Sequence, residues 1–291
     1  MRRLFAFGCS FTNYIWPTWA DFLGTEFDYF ENWGIPGLGN VAIANRLAEA
    51  HSKHKFTKDD TIVIQWSSHI RNDYHTFRLD PRGRISGWKT KGSIFNYINR
   101  PVYDNRWIES FFDEQSYLMY SLNSMVLVKN MLENIGCQWA MTSMSDFSKA
   151  GSDINDPNGY AENTGVDKDI WTGKGFDKNI DFSMYRETIG FDTWCESLLA
   201  YSEHSTDKHY QWQDVNDAEP WVDPHPSTGQ HYNWMNDVLK AKLGLPSAAP
   251  TITQQQWLDQ AEKNYKETKD YYLFEQKMMN LPNWKKPYIG Y

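Results

Sequence analysis

Phe5-Ala6-Phe7-Gly8-Cys9-Ser10-Phe11-Thr12 is the stretch whose reading decides the fold. Leu4–Phe7 is a short apolar run of strand character, and it ends on a glycine that delivers a serine to a turn. The elements that follow alternate in the manner of βαβ units. A brief helix is expected over Trp16–Leu23 and a second strand over Glu26–Asn32. Val41–His51 carries apolar residues at helical spacing, with Asn40 as its N-cap. Thr61–Gln65 is β-branched and compact, as a central strand buried on both faces should be. Gln115–Ile135 is the longest helical pattern. It stops before Gly136, and Cys137–Thr142 follows as another strand. Thr228–Leu243 reads as a last core helix ending at Gly244. The expected architecture is a three-layer α/β/α domain with a central parallel sheet, over residues 1–245.

Two long segments, about 70–111 and 144–220, interrupt this rhythm. They are rich in Gly, Asp, Asn and aromatics, and loops of such length usually serve function or carry small elements of their own. Residues 246–291 form a C-terminal appendage. Pro246-Ser-Ala-Ala-Pro250 links it to a polar helix, roughly Thr253–Met279, and then to a Pro/Trp/Tyr-rich tail. The appendage either packs on the core or mediates oligomer contacts.

A second motif, Trp221-Val-Asp223-Pro-His225-Pro226-Ser, lies more than two hundred residues beyond the first. It places a carboxylate and an imidazole two positions apart between prolines. Serine is a poor nucleophile unless a base takes its proton, and that base needs a third group to orient it. Ser10, Asp223 and His225 supply the three roles. Parallel sheets present their catalytic loops at the carboxyl ends of the strands. Ser10 follows the first strand, Asn32-Trp-Gly34-Ile-Pro-Gly37-Leu-Gly39-Asn40 follows the second, and Trp66-Ser67-Ser68 ends the third. The Asp/His segment precedes the last helix, so four loops converge on one rim.

Composition narrows the function classes. The 291 residues carry a formal charge of −8 and no basic cluster of the kind that tracks phosphates, which argues against nucleic acid. The three cysteines, Cys9, Cys137 and Cys195, form neither a disulfide framework nor a metal pattern. No stretch has the length of a membrane span, and the apolar run before Ser10 is too short for a signal peptide. A cytoplasmic protein is expected, or one that leaves by lysis or by assembly into a particle. His204, His209 and His231 fall near Asp207 and Asp214, at spacings that match no familiar metal signature. Neither a metal nor a cofactor is expected. The 14 Trp, 17 Tyr and 16 Phe are an unusual load. Segments such as 13–19 and 209–213 set them among polar residues, as loop packing or as a surface that stacks on sugar rings.

At these residues the chain resembles the SGNH (GDSL-like) hydrolase superfamily, a flavodoxin-like fold, over roughly 1–70 and 115–244. Gly8-Cys9-Ser10-Phe11 is similar to the family's nucleophile block, with Cys9 where Asp is usual. Asn32-Trp-Gly-Ile-Pro-Gly37 resembles the block whose Gly helps form the oxyanion hole, which implies Gly37, with Gly39 as the alternate. Asp223-Pro-His225-Pro226 resembles the last block, with the one-residue gap of a phage or bacterial branch. The family commonly has G-x-N-D after the third strand, its Asn donating to the oxyanion. Gln65-Trp66-Ser67-Ser68 stands there instead, with Ser67 nearest the Asn. Losing one such donor costs about 3 kcal/mol of transition-state stabilisation.

The resemblance implies a serine esterase or acyl hydrolase acting through an acyl-enzyme. Ser10 is its nucleophile, His225 its base and Asp223 the orienting group, with Ser10, Gly37 and Ser67 at the oxyanion. A small-molecule or carbohydrate ester is the expected partner, with an O-acetyl ester or an acyl-transfer substrate as the preferred class. Two other readings compete: a catalytically weak SGNH-like carbohydrate-binding or structural module, and a depolymerase using carboxylates such as Asp146, Asp153 and Asp156.

Overall fold

The structure is a computed structural model that describes residues 1–79, 85–89, 105–144, 183–213 and 220–284. Four strands form one wholly parallel sheet: β1 (Arg3–Phe7), β2 (Tyr29–Asn32), β3 (Asp60–Trp66) and β6 (Gln138–Ser143), in the order β2-β1-β3-β6. Leu4 aligns with Phe30 on one side and with Thr61 on the other, and Ile62 aligns with Trp139. Leu4 through Phe7 and Ile62 through Ile64 have no exposed surface, as central strands covered on both faces require.

The helices are α1 (Trp19–Gly24), α2 (Asn40–His54) and α4 (Glu114–Ile135), with α7 (Thr228–Trp234) following the last strand pair. The chain steps from β1 outward to β2, then back across to β3 and on to β6. Right-handed crossovers therefore send α1 to one face and α2 and α4 to the other. Accordingly α2 packs on α4, while α1 packs on α7. The result is an α/β fold with a central parallel sheet flanked by helices, compatible with a flavodoxin-like three-layer arrangement. Its direction reverses between β1 and β3, and that switch point is where such sheets open a crevice at their carboxyl edge.

The insertions carry elements of their own. An antiparallel pair, β4 (Tyr74–Leu79) and β5 (Ile85–Lys89), precedes α3 (Asn105–Phe111), and α5 (Ser183–Ile189) and α6 (Leu198–His204) follow β6. A two-residue pair, β7 (Gln211–Trp212) with β8 (Trp221–Val222), leads into the Asp/His segment. The appendage folds as α8 (Ile252–Glu267) and α9 (Tyr271–Met278) and lies against the domain. Gln254 donates to the Phe22 carbonyl, Trp257 packs on Phe22, and Phe274 packs on Trp16.

Boundaries shift where side chains take other work. The first helix begins at Trp19, not Trp16, because Pro17 disfavours helix at the residue before it and Thr18 closes a capping box with Asp21. The N-cap of α2 is Gly39, since the Asn40 side chain is bound elsewhere. The last core helix passes through a π-helical turn over Met235–Leu239. No helix among the described residues is long and apolar enough to cross a membrane.

Candidate active site

Ser10 leaves β1 in a tight turn in which the Thr12 and Asn13 N–H groups both donate to the Cys9 carbonyl. Gly8 is required just before it. A Cβ there would stand 2.1 Å from Thr12 Oγ1 and 2.9 Å from the Gln65 carbonyl oxygen. Buried polar bonds fix the turn from below. Asn32 and Thr18 both donate to the Thr12 carbonyl, at 2.7 and 2.6 Å, and Asn13 donates to the Gly34 carbonyl at 2.8 Å.

The Asp/His segment is held from three sides. The Asp223 N–H donates to the Tyr210 carbonyl at 2.8 Å, continuing the β7–β8 pairing. The Trp16 indole donates to the Pro226 carbonyl at 3.1 Å. Beyond it, Ser227 and Gln230 close a capping box at the start of α7.

These supports bring Ser10, His225 and Asp223 together in one hydrogen-bonded line. His225 Nε2 lies 2.9 Å from Ser10 Oγ, and His225 Nδ1 lies 2.6 Å from Asp223 Oδ1. An ionised carboxylate can only accept, so the neutral imidazole carries its proton on Nδ1 and turns the Nε2 lone pair to the serine hydroxyl. Asp223 has no exposed surface. Burial alone would raise its pKa, yet the hydrogen bonds and charge of His225, with the Trp212 indole 3.0 Å from Oδ2, hold the carboxyl below its usual range. Tyr14 stacks on the His225 ring, 3.8 Å between centroids and 20° between planes, and Phe11 meets it edge-on.

The candidate oxyanion donors fare differently. Ile35-Pro36-Gly37-Leu38 forms a turn closed by Leu38 N–H to the Ile35 carbonyl, with Gly37 at φ 81°. Proline followed by a positive-φ glycine is the pattern of a type II turn. Among the described residues neither the Ser10 nor the Gly37 N–H has an intramolecular acceptor. The Gly39 N–H is bound to Asp73 Oδ2 at 2.6 Å, which removes it as an alternate. The Ser67 hydroxyl, expected as a third donor, gives its proton to the Leu38 carbonyl at 2.7 Å. Its site in the loop is set by Asn40, whose amide accepts from Ser67 N–H at 2.8 Å and donates to Ser67 O at 2.9 Å. Ser67 thus ties the loop after β3 to the loop after β2.

Three residues read otherwise in the sequence also shape the site. Asn40 was expected as an N-cap, and Tyr14 and Trp212 only as members of aromatic segments; their placement by distant segments reveals the roles they take here. A cavity of about 430 Å³ opens beside Asn40, lined among others by His69, Arg71, Asp73, Tyr117 and Tyr120; none of the triad lines it. Asp73 there is pushed up to about 7 by burial, against the opposing effects of the Gly39 N–H and the Arg71 charge.

Other expectations end here. Trp16, Trp19 and Trp212 are fully buried and Tyr210 nearly so; Trp16, Tyr210 and Trp212 cluster with Phe274, while Trp19 meets Trp234. These four rings of segments 13–19 and 209–213 therefore serve core packing, while Tyr14 is half-buried beside His225. His231 is buried and its pKa lies well below the usual value for that reason. No group of three or more potential ligands forms a metal site among the described residues. Asp146, Asp153, Asp156 and Asp214 lie outside them. Cys9, Cys137 and Cys195 are buried free thiols. No protein-family model and no curated protein matches the chain.

Proposed function

We propose that the protein is a serine hydrolase of the SGNH (GDSL-like) type, cleaving or transferring an acyl group from an ester through an acyl-enzyme on Ser10. The observation that carries the reading is the line Ser10–His225–Asp223 at 2.9 and 2.6 Å, set at the switch point of a parallel sheet. His225 takes the proton of Ser10 as its oxygen attacks the ester carbonyl. Asp223 keeps the imidazole in the required tautomer and stabilises its positive charge. The free N–H groups of Ser10 and Gly37 receive the oxyanion. His225 returns the proton to the leaving alcohol, and water or a sugar hydroxyl then clears the acyl group by the reverse sequence.

A carbohydrate ester suits the cavity beside Asn40. Tyr117 and Tyr120 offer amphipathic rings, while Arg71, Asp73 and Asn123 supply donors and acceptors of both kinds, as a polyhydroxylated ligand needs. The commitment of the Ser67 hydroxyl to Leu38 favours a second reading, a catalytically weak binding or structural module.

A fluorophosphonate probe separates the two. The expected result is one adduct, located on Ser10 and absent from the His225→Ala variant. Folded protein that takes up no probe would leave the binding module standing and remove the hydrolase.

A further inference from the structure

The appendage helix α9 reaches the two side chains that hold the Asp–His pair. Tyr14 is the first. Its ring covers His225, and its hydroxyl donates to Asp223 Oδ2 over 3.4 Å, a long bond beside the 3.0 Å bond from Trp212. With its own proton directed at the carboxylate, Tyr14 accepts from the Tyr271 hydroxyl, 3.2 Å away. Trp212 is the second. It is fully buried, and its indole meets Tyr271 edge-on at 5.6 Å and packs on Phe274 at 5.0 Å. Tyr271 and Phe274 are one helical turn apart, so one face of α9 touches both supports.

We propose that the C-terminal appendage is a working part of the active site, with Tyr271 acting through Tyr14, and Trp212 beside them, as positioning residues for Asp223 and His225. The inference rests on the serine-hydrolase reading for its kinetic consequence, but the positioning itself does not. Each hydroxyl or indole bond to the carboxylate fixes the oxygen that orients Nδ1–H and spreads its negative charge. Without them the charge concentrates on Oδ1, beside the imidazole, and the protonated imidazole becomes more stable. The other titratable groups facing the pair are His209, whose Nδ1 lies 3.1 Å from the carbonyl oxygens of both Asp223 and His225, and the buried His231.

The test uses the full chain carrying Tyr14→Phe, Tyr271→Phe or Trp212→Phe, and the Tyr14→Phe/Tyr271→Phe double variant. Turnover of p-nitrophenyl acetate is normalised to Ser10 titrated by the fluorophosphonate, and the His225 ring protons are followed by NMR against pH. Each single variant should lose about three- to tenfold in kcat per titrated site at nearly constant KM. The double variant should lose no more than Tyr14→Phe alone, because Tyr271 works through it. The acid limb of the rate profile and the His225 titration midpoint should both move to higher pH. Unchanged kcat with an unmoved midpoint, even with lower melting temperatures, would reduce these residues to packing and overturn the proposal. If Ser10 proves inert while the His225 midpoint still moves, the hydrolase reading falls and the positioning stands.

Discussion

Two buried carboxylates show how neighbours decide what burial does. At Asp223 burial works upward and is outweighed by His225 and Trp212, so the group stays ionised on the acid side of its ordinary value near 3.8. That stabilisation is present above the unfolded value and is lost as pH falls through the lower folded one. Replacing Asp223 with Asn is expected to cut kcat on the order of 10⁴-fold with the fold intact, because the amide no longer selects the Nδ1–H tautomer; kcat with circular dichroism checks it. Asp21 is the opposite case. Its bonds from Thr18 do not offset burial, and it is raised to about 6. A raised carboxyl binds its proton more tightly when folded, so its contribution to stability declines as pH climbs from about 4 through 6. Thermal melting between pH 5 and 8 should therefore show a smaller loss for Asp21→Asn than for the parent chain. Gly8 is decided by space alone. Gly8→Ala would drive a methyl into Thr12 and the Gln65 backbone, and should cost about 1–3 kcal/mol in urea unfolding.

Among the elements, the appendage departs most from its sequence pattern. A single helix over Thr253–Met279 is what the periodicity predicts, whereas the chain turns between α8 and α9. Thr268 is extended at φ −146°, and Asp270 caps α9 by accepting from Leu273 N–H at 2.7 Å. A β-branched residue and an Asp two positions apart were the available signal for that break. The break lets α9 fold back, so that Lys277 pairs with Glu267 at 2.6 Å and Phe274 enters the aromatic cluster. Phe274→Ala should cost about 3–5 kcal/mol, read from chemical denaturation, since the ring has no exposed surface and its rigid neighbours cannot close the gap. The π-helical turn at Met235–Leu239 had no local signal, because its sequence suits an ordinary helix equally well.

For the molecule as a whole, the appendage and the α/β domain share one hydrophobic core, through Trp257 on Phe22 and Phe274 on Trp16 and Trp212. Surfaces buried against each other unfold together, so one cooperative transition is expected in circular dichroism and tryptophan fluorescence alike. A separate, earlier melting of the appendage would contradict that coupling. The sequence by itself determined the parallel α/β layout and brought Ser10 and the Asp223–His225 pair to notice. Strand hydrophobicity, helical spacing, Gly136 and the proline-bounded Asp-x-His are local signals, written within a few residues of where they act. Only the tertiary structure decided that the Ser67 hydroxyl serves Leu38, that Asn40 clasps Ser67 instead of capping α2, and that Tyr14 and Trp212 lean on a helix at the far end of the chain. Those choices depend on which hydrogen-bond partners come within about 3 Å, and folding, not sequence neighbourhood, sets that distance.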